Sequence, residues 1–136
     1  MAQINLEITT PGKVIYQDTV DSITVPGTKG GFQVLRNHAP LMSTFEIGIV
    51  TVQKGDNVQY FTTGGGTIEV LNNNVLILAD SMERVEDIDI SRAELAKKKA
   101  KERLAKKKEE KIDEVRAKTA LDKAINRLSA ISRFKT

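Results

Sequence analysis

Hydrophobic and polar residues alternate along the first eighty residues, which is the pattern of strands that bury one face. Ile4, Leu6 and Ile8 alternate with Asn5 and Glu7, a period of two residues. Further short apolar segments are separated by turns rich in glycine, proline or asparagine, at spacings of about 8–12 residues that are typical of a sandwich or barrel. The later predicted strands are 14–16, 23–25, 32–35, 47–52, 58–63, 68–70 and 75–78.

The pattern changes after Asp80. From Ser91 onward, 46 residues contain neither glycine nor proline, and the strong helix formers Ala, Lys, Glu, Leu and Arg dominate. Asp89 and Ser91 are both candidate N-caps, and Ser91 with Glu94 fits a capping box. Two stripes of small or apolar residues predict buried helix faces: Ala93, Ala96, Ala100 and Leu104, then Leu121, Ala124, Ile125, Leu128 and Ile131.

The helical region has two possible arrangements. Residues 106–111 carry no apolar side chain, which favours a turn between two helices, but no breaker residue excludes one continuous helix. A stripe of alanines buries little area, so its docking contributes only a few kcal/mol at about 25 cal/mol per Å2 of apolar surface. We therefore expect a stable sheet region followed by a marginal, movable helical region.

Composition and charge narrow the possible functions. The 136 residues include no cysteine, which excludes disulfides and thiolate metal sites, and His38 is the single histidine. No apolar run approaches the roughly 20 residues that span a bilayer. Residues 1–83 carry 4 Lys/Arg against 8 Asp/Glu, a net charge of −4, whereas residues 84–136 carry 17 against 10, a net charge of +7. The basic helical region suits an acidic partner or a polyanion such as a nucleotide.

No catalytic constellation can be assembled from the sequence. The glycine clusters 27–31 and 64–66 lack the Gly-Lys-Ser/Thr ending of a P-loop, so tight turns and a close-packed strand explain them better. The carboxylates of the sheet region have no metal-ligand spacing. An alternative function is an adaptor whose basic tail binds nucleic acid or an acidic protein. Phe134 is the one aromatic residue of that tail, so bases would have almost no stacking platform.

Several segments resemble the epsilon subunits of bacterial F-type ATP synthases. Residues 31–41, Gly-Phe-Gln-Val-Leu-Arg-Asn-His-Ala-Pro-Leu, are similar to the family's Gly-x-x-x-Leu-x-x-His-x-Pro-Leu segment, and an Ile-Gly strand follows at 47–50. Residues 65–70 and 74–80 resemble the family's Gly-Gly-x-x-Glu-Val and Asn-x-Val-x-x-Leu-Ala-Asp segments. The resemblance covers essentially the whole chain in order.

This resemblance implies a two-domain α+β fold: a β-sandwich of about ten short strands at 1–84, then an α-helical hairpin at 85–136. It implies a non-catalytic subunit without a catalytic cofactor or a nucleic-acid partner. The sandwich would link the gamma subunit to the c-ring, and the helices would extend toward the beta and alpha subunits to oppose ATP hydrolysis. The protein would be peripheral, on the cytoplasmic face of the bacterial cell membrane, which it meets only through the complex. The candidate gamma and c-ring contacts are Gly31, His38, Pro40, Leu41 and Met42.

The resemblance also implies a regulatory nucleotide site. Some bacterial members bind ATP without hydrolysing it, and their Ile/Leu-Asp-x-x-Arg-Ala motif is matched by residues 88–93. The ligand would be ATP, with or without magnesium. Family ATP binders tend to have arginine where this chain has Lys99 and Lys123, and lysine lacks the bidentate fork of arginine. The implied ATP-binding residues are Glu83, Ile88, Asp89, Arg92, Ala93, Lys99, Lys123 and Arg127.

Overall fold

The structure is a computed structural model that describes residues 4–106 and 114–134. The chain divides into two compact units. The sheet unit ends at Arg84 and the helical unit begins at Val85. The predicted fold class, a β-sandwich domain followed by two helices, is confirmed.

Eight strands make up the described part of the sheet unit. Turns at Pro11-Gly12, at Gly55-Asp56 and at Asn72-Asn73 join three pairs of them, in agreement with the predicted glycine-, proline- and asparagine-rich turns. The strands are β1 (Ile4–Thr10), β2 (Lys13–Val20), β3 (Ser22–Val25), β4 (Phe32–Val34), β5 (Leu41–Lys54), β6 (Asn57–Leu71), β7 (Asn74–Ala79) and β8 (Met82–Arg84).

The strands are hydrogen-bonded in the order β2-β1-β7-β6-β5-β3-β4, with β8 paired to β6. Neighbouring strands are antiparallel except for β1 and β7, which run parallel, with Leu6 opposite Val75. β5 and β6 form a long hairpin. The end of β6 pairs with β7, while its middle, from Phe61 to Thr63, pairs with β8. This hairpin therefore belongs to both layers of the sandwich.

β5 and β6 are 14 and 15 residues long, which is why the described residues form eight strands rather than about ten short ones. The sequence suggests a break between 58–63 and 68–70, but the glycines at 64–66 allow β6 to continue. Gly65 adopts a φ of +103°, which disfavours any residue with a Cβ. Gly66 lies directly against the backbone of β7, where a Cβ would come within 2.8 Å of the Ala79 Cα.

The core lies between the layers and is built mainly from aliphatic side chains. The alternation in β1 is confirmed, because Ile4, Leu6 and Ile8 are buried, as are Val75 and Ile77 on the neighbouring β7. The same core includes buried residues of the other strands: Val20, Ile23, Val25, Val34, Phe45, Val50, Val52, Phe61, Ile68, Val70, Ala79 and Met82.

The helical unit begins with a 3-10 turn (Val85–Asp87), followed by α1 (Ile90–Ala105) and α2 (Glu114–Phe134), which pack against each other. α1 ends at Ala105, with Lys106 as its C-cap. Of the turn predicted at 106–111, all but Lys106 lies outside the described residues. The buried residues of the two helices are all alanines: Ala93, Ala100, Ala117, Ala124 and Ala130.

The predicted helix stripes are largely confirmed. Ala96, Leu104, Leu121, Leu128 and Ile131 are half-buried beside the buried alanines. The prediction for Ile125 is wrong, since its side chain is exposed. No helix within the described ranges is long and apolar enough to cross a membrane.

Candidate functional site

Asp89 begins the nucleotide-site motif and caps α1. Its backbone is extended, with φ −85° and ψ 111°, and its Oδ1 accepts a hydrogen bond from the Arg92 backbone N–H at 3.2 Å. Since α1 begins at Ile90, Ser91 lies inside the helix and is not the N-cap. A carboxylate offers about four acceptor sites, so the cap leaves Asp89 able to accept further hydrogen bonds from a ligand.

The apolar members of the motif are buried and its polar members are exposed. Ile88 and Ala93 are 2% and 3% exposed, so they serve packing in this structure. Asp89 and Arg92 are both exposed. The buried pair therefore anchors the start of α1, and the exposed pair provides the groups able to meet a nucleotide.

Four predicted cations occupy the two packed helices. Arg92 and Lys99 are exposed on α1, and their seven-residue separation places them on one face about 10 Å apart along the axis. Lys123 and Arg127 lie one turn apart on α2 and are half-buried. Guanidinium and ammonium groups on a helix pair are suited to bind a polyphosphate through charge-assisted hydrogen bonds.

Glu83 belongs to a different unit of the chain from the motif and the four cations. It is half-buried on β8, opposite Thr62 of β6, and so belongs to the sheet unit. The structure brings the motif and the four cations into one helical unit and places Glu83 in the other unit. Within residues 4–106 and 114–134, no three His, Asp or Glu residues are grouped so that they could hold a metal ion.

The candidate partner contacts surround the loop between β4 and β5. Gly31 and Pro40 are exposed, and Met42 is 73% exposed on β5. Leu41 differs from the others, because it is half-buried and packs against the core. Met42 and the exposed Leu71 are on the same outer face of the sheet, since Met42 is opposite Glu69 in the β5–β6 register.

His38 is held by its own loop. Its backbone N–H donates to the Leu35 carbonyl at 3.1 Å, and its Nδ1 lies 2.6 Å from the Ala39 carbonyl oxygen. A carbonyl can only accept, so this contact assigns the proton to Nδ1. In the neutral ring, Nε2 is then an acceptor that can receive a hydrogen bond from a partner.

Sequence reasoning missed a polar and aromatic cluster at the end of the sheet unit. The Arg84 guanidinium carbon lies 5.8 Å from the ring centroids of both Tyr16 and Phe61, within reach of a cation–π interaction. The two rings meet edge to face at 5.9 Å. Tyr16 and Arg84 line a cavity of about 540 Å3, whereas Phe61 is fully buried behind them. Tyr16, Phe61 and Arg84 are far apart in the sequence, and no motif predicts that they meet.

A surface ion pair adjoins this cavity. Lys54 Nζ and the Asp18 carboxylate are 2.9 Å apart, and this hydrogen bond lowers the pKa of Asp18 and raises the pKa of Lys54. Burial, and then the nearby charge of Asp18, raises the pKa of Tyr16 above its ordinary value.

Comparison with known proteins places this fold in a family. Residues 3–85 match the family model "ATP synthase, Delta/Epsilon chain, beta-sandwich domain", and residues 86–132 match "ATP synthase, Delta/Epsilon chain, long alpha-helix domain". The ATP synthase epsilon chain of Desulforamulus reducens is 42% identical over 125 residues, covering 92% of this chain and 94% of the relative. That of Nitratidesulfovibrio vulgaris is also 42% identical, covering 92% of each chain.

A solved structure has the same fold. One chain of the Euglena gracilis mitochondrial ATP synthase, solved with OSCP, F1 and c-ring, superposes with a TM-score of 0.79 at 24% identity, covering 96% of this chain and 82% of that one. Two family models in the correct order and relatives above 40% identity agree with the resemblance carried by residues 31–41 and 65–80. The chain belongs to the ATP synthase delta/epsilon chain family, as an epsilon subunit, which is a non-catalytic part of the enzyme complex.

Proposed function

We propose that the sheet unit joins the gamma subunit to the c-ring and that the helical unit restrains ATP hydrolysis by extending toward the beta and alpha subunits. The support for the first part is the exposed surface around the β4–β5 loop, with His38 held in a defined orientation and Met42 largely exposed. An exposed apolar side chain next to an oriented polar group is typical of a protein contact. The subunit would be peripheral, on the cytoplasmic face of the cell membrane.

The observation that carries the second part is that α1 and α2 bury only alanines completely. At about 0.8 kcal/mol per buried carbon, five alanine methyl groups contribute about 4 kcal/mol. The half-buried Leu104, Leu121, Leu128 and Ile131 add only part of their apolar area to this gain. Ordering two helices costs conformational entropy that opposes this gain. The packed helix pair is thus a shallow free-energy minimum, and a competing contact elsewhere in the complex can open it.

ATP acts on this balance by binding the packed helices and not the extended arm. Such a ligand stabilises its state by RT ln(1 + [ATP]/Kd), about 2.7 kcal/mol at a hundredfold excess over Kd. That value is comparable to the alanine packing, so ATP decides the posture of the helices. When ATP is scarce, the arm is released and hydrolysis is suppressed.

Charge determines where the released arm goes. The residues from 84 onward carry a net charge of +7, and the exposed lysines of α1 point this charge outward. A basic arm is attracted over long range to an acidic segment of a catalytic subunit, and salt weakens this attraction. Inhibition should therefore decrease as ionic strength rises.

Calorimetric titration of the isolated full chain with ATP tests the regulatory site. Arg92→Ala should weaken binding by at least about tenfold, because it removes a charge-assisted hydrogen bond donor. Lys98→Ala is the matched control, since it removes the same charge from an exposed position on another face of α1. Absence of ATP binding by the wild-type chain at millimolar concentrations would refute the ATP-sensing part of the proposal.

A further inference from the structure

The loop that carries His38 is fastened to a turn that is distant in sequence. The Asn37 backbone N–H donates to Asn73 Oδ1 at 2.7 Å, and Asn73 Nδ2 donates back to Asn37 Oδ1 at 3.2 Å. The two residues are 36 positions apart, one between β4 and β5 and the other between β6 and β7. We call this reciprocal pair the asparagine clamp.

The backbone at both ends of the clamp explains why asparagine is suited to it. Asn37 and Asn73 have φ values of 65° and 62°, in the left-handed region that asparagine tolerates better than most residues. Each side chain also offers both a donor and an acceptor. Aspartate would lose the donor, and glycine would lose both groups, so neither could reproduce the clamp.

The clamp lies at the end of the sheet where the partner contacts are expected. Leu41 is opposite Val70 in the β5–β6 ladder, so the β4–β5 loop and the β6–β7 turn emerge beside each other. Exposed leucines precede both clamp segments: Leu35 is 52% exposed and Leu71 is 57% exposed. The loop and the turn therefore present polar and apolar groups from one end of the sheet unit.

We propose that Asn73 is a positioning residue for partner binding, which fixes residues 35–40 through its two hydrogen bonds with Asn37. This inference rests on the proposed function, in which that end of the sheet unit binds the gamma subunit and the c-ring. A loop held in its binding conformation loses less entropy on association than a free one. Asn73 thus affects the affinity for the partner indirectly, because it holds Asn37 and the loop in place and needs no contact of its own with the partner.

The test compares two glycine variants of one turn. Asn72 and Asn73 both have positive φ, at 50° and 62°, so glycine introduces no strain at either position. Only Asn73→Gly removes the clamp, which makes Asn72→Gly the matched control. For both full-length variants, amide hydrogen exchange at Asn37 is measured by NMR, together with affinity for purified ATP synthase stripped of this subunit.

Loss of the two bonds should speed exchange of the Asn37 amide and weaken rebinding, each by about tenfold, in Asn73→Gly. Asn72→Gly should stay within about twofold of wild type in both measurements. Unchanged exchange in Asn73→Gly would overturn the clamp itself. Faster exchange with unchanged affinity would overturn the positioning role while leaving the proposed function in place. Failure of the wild-type chain to rebind would overturn both.

Discussion

The Asp89 carboxylate accepts a hydrogen bond from the Arg92 backbone N–H at 3.2 Å, so the two polar residues of the nucleotide motif are joined as a helix cap. Removing the cap with Asp89→Ala should destabilise the helical unit by about 1 kcal/mol. Helical circular dichroism during urea titration measures this loss.

Asp89→Asn separates capping from charge. Asparagine caps as well as aspartate, so the urea transition should stay within about 0.5 kcal/mol of wild type. If the carboxylate also accepts hydrogen bonds from ATP, calorimetry should nevertheless show weaker nucleotide binding. Equal ATP affinity for wild type and Asp89→Asn would confine Asp89 to its capping role.

Gly66→Ala tests the close approach of β6 and β7. The added Cβ would meet the Leu78 carbonyl oxygen and come within 2.8 Å of the Ala79 Cα, both of them backbone atoms that cannot rotate away. We expect destabilisation of the sheet unit by at least about 1–3 kcal/mol, measured by urea denaturation. Gly31→Ala is the control, because its Cβ would be 3.6 Å from the nearest atom, and it should change stability by less than about 0.5 kcal/mol. Equal losses of stability in Gly66→Ala and Gly31→Ala would contradict a close approach of β6 and β7 at Gly66.

Arg84→Met tests the cation over the two aromatic rings. Methionine keeps an apolar side chain but removes the charge that lies 5.8 Å from the Tyr16 and Phe61 centroids. The sheet unit should lose about 0.5–1 kcal/mol in denaturant unfolding. Arg36→Met, at an exposed loop position, should have a smaller effect. The same loss in both variants would show that the ring contacts contribute nothing specific.

The Tyr16 hydroxyl gives the sheet unit a dependence on alkaline pH. Burial first, and then the Asp18 charge, raises its pKa above the ordinary value of 10.0. The folded state therefore holds this proton more tightly than the unfolded state, and the stabilisation, complete below pH 10, is lost as pH rises through the folded pKa.

An absorbance titration in a Tyr60→Phe background isolates the Tyr16 phenolate, because the chain has two tyrosines. Its midpoint should lie above 10.0, and Asp18→Asn should lower the midpoint without abolishing the shift, since burial is the larger cause. A midpoint at or below the ordinary value would refute this assignment.

The sequence predicted the elements whose signal is local. A period of two residues identified β1 with Ile4, Leu6 and Ile8 inside, and alanine spacing identified the buried face of α1. The structure has fewer strands than predicted because the sequence signal at Gly65 and Gly66 is ambiguous. Glycine can end a strand or let the strand continue where another backbone comes close. The backbone of β7 at Ala79 lies against Gly66, so β6 continues.

In the candidate site, too, the sequence predicted only the features that have a local signal. Residues 88–93 stood out by motif, and Asp89 was one of two candidate caps; the extended backbone of Asp89 selects it over Ser91. The contact of Asn37 with Asn73 had no signal in the sequence, because a hydrogen bond between turns 36 residues apart depends on the β5–β6 register.

The most direct test of the regulatory account compares ATP hydrolysis by ATP synthase rebuilt with the full chain and with a chain ending at Arg84. Both versions keep the whole sheet unit, so both should assemble. At low ATP the shortened chain should give the faster hydrolysis, and the difference should shrink as ATP rises. Equal rates at every ATP concentration, with both versions bound, would contradict the claim that the helices restrain the enzyme.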